Sequence, residues 1–197
     1  MKVGIGTTDI SRFNFFNGVS FQIGPDVLSF QDLENGVLRA NRKPPFALSA
    51  QFGSKDSRQR LSMSSVDCRI HFALNCGANS CPPVKDYTAE GIEDELRIVA
   101  QAFCEDDSHV RVVEAEGAVY LSSIFKWYRE DFATSNSELP KAVLRFLRGA
   151  KKSALERMIS NRGTVKVHFN TYDWSTNASD FEPFSGGNVK ANTSRFL

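Results

Sequence analysis

The fifteen residues Arg69-Ile70-His71-Phe72-Ala73-Leu74-Asn75-Cys76-Gly77-Ala78-Asn79-Ser80-Cys81-Pro82-Pro83 constrain this chain more than any other stretch. They hold two of its four cysteines and one of its three histidines. Ile70, Phe72 and Leu74 alternate with Arg69, His71, Ala73 and Asn75, the period-two pattern of a half-buried strand. A helix from Asp67 to Gly77 is the rival reading, since Asp caps helices and Gly ends them. On either reading the element runs out into a loop carrying Cys76 and Cys81.

Strand and helix periodicities alternate irregularly on both sides of this block, which predicts a single α+β domain. Its sheet is expected to be small, mostly antiparallel and packed with several helices. Val19, Phe21 and Ile23 read as a strand turned by Gly24-Pro25-Asp26. Ser29 to Asp32 forms a capping box with Asp in the place of Glu, opening a helix to about Arg39. Gly36 weakens that helix by about 1 kcal/mol relative to Ala. A long connection, residues 41–65, precedes the central block, and so long a loop is usually functional or mobile.

Further on, Thr88 caps an amphipathic helix whose Ile92, Leu96, Val99, Ala100 and Phe103 share one face. Residues 110–121 read as a hairpin turning near Gly117, followed by a helix from Ile124 to Phe132 capped by Ser122 or Ser123. Ser137 opens another helix, which Gly149 interrupts, and Val165, Val167 and Phe169 mark a last strand. Arg145, Arg148, Lys151 and Lys152 read as a solvated basic face. Segments 1–12 and 179–197 are glycine-rich and polar, and are read as flexible ends of a domain spanning 13–178.

Sixteen phenylalanines predict an aromatic-rich core, and 41% hydrophobic content in 197 residues is enough to build one. A net charge of +1 argues against global attraction to nucleic acid or to an anionic membrane. No apolar window is long enough for a membrane span. With no secretory pattern at the start, the cysteines read as reduced thiols and the location as cytoplasmic.

For chemistry, a thiolate at neutral pH needs a base or a positive field, which His71 or Arg69 can supply to Cys76 or Cys81. Asn75, Asp131 or Asp173 would then orient the imidazole. The bland reading has the cysteines as small residues of a tight turn and His71 as a hydrogen-bonded core residue. Zinc on Cys76, Cys81, His71 and either His168 or Cys68 lacks the usual paired spacings, so neither metal nor cofactor is expected. Asp131 sits four residues after Trp127 and three after Tyr128, so its carboxylate needs donors such as Arg39 or Arg69. Glu34 is read as pairing with Arg69 or Lys126. With Tyr128 and Asn177, these residues form the expected polar network. No glycine-rich phosphate loop or Gly-x-Ser-x-Gly elbow is present, which disfavours nucleotide binding and serine hydrolysis.

The block from Arg69 to Pro83 resembles the signature of the domain of unknown function (DUF) 547 family. Three further blocks resemble family motifs in the same order. They are Ser29-Phe30-Gln31-Asp32-Leu33-Glu34-Asn35-Gly36-Val37-Leu38-Arg39, Leu121-Ser122-Ser123-Ile124-Phe125-Lys126-Trp127-Tyr128-Arg129-Glu130-Asp131-Phe132, and Tyr172-Asp173-Trp174-Ser175-Thr176-Asn177. The family's upstream F-W-x-N-x-Y-N helix has no match, so the resemblance implies a partial copy. It delivers no reaction. Two expectations stand: a regulatory or protein-interaction module working alongside other domains of a larger protein, or a thiol-dependent hydrolase or transferase using a Cys-His pair.

Overall fold

The structure, a computed structural model, describes residues 3–4, 8–175 and 182–183. Asn177 and, apart from 182–183, the expected flexible tail lie outside the described residues. The chain is of the α+β class, and its contacts divide it into two compact units. The first comprises Met1–Asp67, Cys76–Asn79 and Trp174–Leu197, and the second Cys68–Asn75 and Ser80–Asp173.

In the first unit, β1 (Val3–Gly4) pairs in parallel with the distant β7 (Glu182–Pro183). Helix α1 (Asp9–Gly18) begins inside the segment whose composition suggests a flexible end. Its start is a local capping box: the Thr8 hydroxyl accepts from Ser11 N (3.1 Å) and Thr8 N donates to Ser11 Oγ (3.0 Å). The hairpin β2 (Ser20–Ile23) and β3 (Asp26–Ser29) turns at Gly24, whose φ of +58° favours a residue without Cβ. Phe30 joins helix and hairpin by contacting the rings of Phe15 (5.7 Å), Phe16 (6.0 Å) and Phe21 (5.1 Å).

The Ser29/Asp32 box closes as the sequence predicts. Ser29 N donates to Asp32 Oδ2 (3.0 Å) and Asp32 N to Ser29 Oγ (3.1 Å). The helix opened by this box is wound more loosely than an α-helix. Asp32–Leu38 is a π-helix, with bonds from Arg39 N to Glu34 O and Asn41 N to Gly36 O, both 2.9 Å. Within it, at Gly36, a Cβ would lie 2.3 Å from the Phe52 ring. Phe52 is fully buried there, beneath the Arg58 guanidinium. The glycine that weakens the helix in isolation is what admits the aromatic plug.

Asp32 carries a further expectation. Burial pushes its carboxyl up, but hydrogen bonds from Gln51 and from Ser29 N and Oγ, with the Arg58 charge, outweigh this and hold it below the ordinary value. A folded value below the unfolded one means stability present above the unfolded pKa of about 3.9 and lost as pH falls through the folded value. Asp32→Asn is therefore expected to flatten the acid limb of a stability–pH curve measured by urea midpoints. An unchanged limb would contradict the assignment.

The second unit is a three-stranded sheet with helices packed on it. Strands β4 (Val110–Val113) and β5 (Ala118–Leu121) form the predicted hairpin, with Gly117 at φ +62°. Strand β6 (Lys166–Phe169) adds to β5 in parallel, so the sheet is mixed. Between them run α3 (Ser123–Trp127), α4 (Arg129–Phe132), α5 (Leu139–Leu144) and α6 (Gly149–Arg162). The amphipathic α2 (Ile92–Glu105) buries Leu96, Val99, Ala100 and Phe103, the face its spacing predicts. Phe72 lies at the centre, its ring 4.8 Å from Phe103, 5.4 Å from Phe146, and 5.6 Å from both Phe125 and Phe132. This is the aromatic core the composition predicts.

Two readings need correction. The central block is neither a strand nor a long helix. Cys68–Phe72 is a 3₁₀-helix, closed beyond its end by Ala73 N and Leu74 N on Ile70 O (3.0 and 2.9 Å). Ile70, His71 and Phe72 are consecutive and all buried, so burial does not follow the period-two alternation. Nor is the basic cluster purely a solvated face. Lys151 Nζ donates to Glu105 O (2.6 Å) and Cys104 O (3.4 Å), carbonyls at the negative end of α2, and to Val110 O (2.9 Å) at the start of β4.

Candidate functional site

The polar feature of the second unit is built from the 3₁₀-turn and the break between α3 and α4. The turn places His71 inward beside Phe72. The helix predicted from Ile124 to Phe132 is interrupted at Tyr128, whose backbone leaves helical geometry (φ −106°, ψ 25°). That break lets the Tyr128 ring stack on the imidazole at 4.0 Å and 24°, while Phe132 closes in at 5.5 Å. Asp131 then reaches His71: Nε2 to Oδ2 is 2.8 Å, with side chains 2% and 0% exposed. With Asp131 ionised, its carboxylate only accepts and His71 Nε2 is the donor. Of the three orienting groups left open by the sequence, Asp131 is the one that bonds Nε2.

The other candidates are spread more widely. Cys81, also buried in the second unit, points its thiol at Leu74 O (3.7 Å). Asn75 Nδ2 donates to Pro82 O (2.5 Å), bracing the loop between them. Asp173 is exposed, and its backbone N–H donates to Ser80 Oγ (2.9 Å) while its carbonyl accepts from Ser80 N (3.2 Å). Arg69 donates to Glu93 O (3.1 Å) and Oε2 (2.7 Å). Lys126 is exposed on α3. Trp127 meets Tyr172 edge-on at 4.8 Å.

The remaining three fall in the first unit. Cys76 is half-buried there. Arg39 is buried and donates to Asn35 Oδ1 (2.6 Å) and Lys43 O (3.1 Å). Glu34 contributes its carbonyl to the π-helical bond from Arg39 N. The structure thus brings His71, Tyr128 and Asp131 together. It also ties the cysteine loop to Asp173 through Ser80.

Sequence reasoning passes over one contact. Arg145 Nη2 lies 3.1 Å from Cys68 Sγ, a guanidinium against a buried thiol. The two residues are 77 positions apart, and no local pattern joins them. At Cys104, burial pushes the thiol well above the ordinary value. Among the described residues, no group of three or more His, Cys, Asp or Glu is disposed to hold a metal ion.

A family model described as "Protein of unknown function, DUF547" matches residues 1–104, more than half of the chain. The chain belongs to the DUF547 family. The matched range includes the histidine–cysteine block and the π-helical segment, while Asp131 and Tyr128 of this DUF547 chain lie beyond it. No curated protein and no solved structure matches the chain. No helix among the described residues is long and apolar enough to cross a membrane.

Proposed function

We propose that this DUF547 chain is a protein-interaction module working alongside other domains, and that it binds through the apolar surface of α1 and the β2–β3 hairpin. The observation behind this reading is where apolar side chains are left in water. Among the described residues, nine of eleven exposed large hydrophobics belong to the first unit, and only Val84 and Ile98 to the second. Five of the nine fall between residues 10 and 27: Ile10, Phe13, Phe21, Ile23 and Val27. Ile10 and Phe13 share a helix face at i, i+3, exposed to 75% and 65%. Concentrated apolar exposure of this kind marks association surfaces, whereas scattered single residues do not.

The test is a paired substitution, Ile10→Asp with Phe13→Asp, on side chains that α1 does not bury. Surface changes of this kind shift stability by only about 0.5 kcal/mol, so folding is retained. The wild type is expected to run above its monomer mass of 22.0 kDa in native extract, and the variant at that mass. A wild type already monomeric in extract would count against the reading.

A second reading, a thiol-dependent hydrolase or transferase, is favoured by one observation: the His71–Asp131 contact places an oriented imidazole in the same unit as Cys81. Iodoacetamide labelling of Cys81 across pH separates the two. An acidic, fast thiol supports the enzyme, and slow labelling with an ordinary thiol pKa counts against it.

A further inference from the structure

We infer that the loop at residues 42–51 is a membrane-surface contact, inserting Phe46 and Leu48 into an anionic lipid interface. The loop is held as a unit. Phe52 N donates to Asn41 Oδ1 (2.7 Å) and Asn41 Nδ2 to Phe52 O (3.0 Å), clamping its two ends together. Ala40 and Asn41 enter it in left-handed conformations, φ 52° and 55°. At the apex a turn closes from Ala47 N to Pro44 O (3.1 Å), with Pro45 and Phe46 as its central residues. Phe46 has φ +66°, the conformation that such a turn ordinarily gives to Gly or Asn at this position.

A bulky residue in that region is strained, and the strain returns nothing to the fold. The Phe46 side chain is 91% exposed and Leu48 is fully exposed. An aromatic held outward at a cost to the backbone points to a use outside the chain. The flanking charge selects the partner. From Arg42 to Lys55 there are three basic residues, Arg42, Lys43 and Lys55, and no acidic one, in a chain whose overall charge is only +1. An apolar tip in a stretch with three cations, followed by an Asp56 that is paired with Arg58, matches a bilayer interface carrying anionic headgroups, where apolar insertion and electrostatic attraction add. Either signal alone gives marginal binding, so the contact is weak, reversible and sensitive to salt. This inference does not depend on the α1–hairpin surface, which uses other residues.

The test is co-sedimentation of the full chain with phosphatidylcholine vesicles, with and without about 30 mol % phosphatidylserine. Wild type is expected to bind the anionic vesicles, and to lose binding as salt rises. The variant Phe46→Gly with Leu48→Ser is expected to bind about tenfold more weakly. Glycine suits the backbone at position 46, so this variant keeps the fold, which circular dichroism checks. Lys43→Glu with Lys55→Glu is expected to abolish the preference for anionic lipid while leaving the apolar tip in place. No vesicle binding by wild type, or binding that survives the Phe46/Leu48 change, would overturn the proposal. So would loss of a protein complex by that variant without any vesicle binding, which would assign the loop to a protein pocket.

Discussion

Asp131→Ala is expected to lower the unfolding free energy by about 3 kcal/mol, within the range for breaking a buried hydrogen-bonded pair by removing one partner. The lost bond itself is the smaller part. His71 remains enclosed by Tyr128 and Phe132, its side chain 2% exposed, after losing the carboxylate that met Nε2. Asp131→Asn should cost distinctly less, because the amide oxygen still accepts from Nε2 at similar reach. Urea unfolding of both variants gives the ordering directly. Equal losses, or an Asp131→Ala loss under about 1 kcal/mol, would mean that the pair does not brace the turn against α4.

Gly36→Ala is the second large effect, and its sign is diagnostic. Helix propensity alone predicts that Ala stabilises by about 1 kcal/mol over Gly. The structure predicts the opposite, a loss of about 3 kcal/mol, because a Cβ 2.3 Å from the Phe52 Cε2 and Cζ atoms forces the buried ring out. Displacing Phe52 also strains its two backbone bonds to Asn41 and uncovers the packing beneath Arg58. Hydrogen exchange should report the damage around residues 29–62, with α2 and the β4–β5–β6 sheet unaffected. Shortening the ring in a Gly36→Ala/Phe52→Leu double variant should recover part of the loss. A stabilised Gly36→Ala protein would contradict the packing described.

The features legible in the sequence are local ones. The Ser29/Asp32 box, the Gly117 hairpin and the apolar face of α2 each depend on residues within one or two turns of each other, so spacing alone exposes them. The 3₁₀-turn at Cys68–Phe72 is hidden because its alternation mimics a strand, and burial of three consecutive residues is set by elements far along the chain. The need for glycine at position 36 comes from Phe52, sixteen positions further on. Likewise, Lys151 reads as solvated because its acceptors are carbonyls at the end of another helix and the start of β4, more than forty residues away in sequence. For the site, the sequence supplies both His71 and Asp131 but leaves Asn75 and Asp173 as equal contenders. Sixty residues separate the bonded pair, and only the break at Tyr128 turns Asp131 toward the imidazole.

The claim that this family member works by binding rather than by chemistry is tested most directly with a photoreactive residue. Phe13 and, on the sheet of the second unit, Arg111 would each be replaced in turn by p-benzoylphenylalanine and irradiated in cells. Discrete protein adducts at position 13 with none at position 111 are the predicted result. Absence of adducts at 13, or equal adducts at both positions, would contradict it.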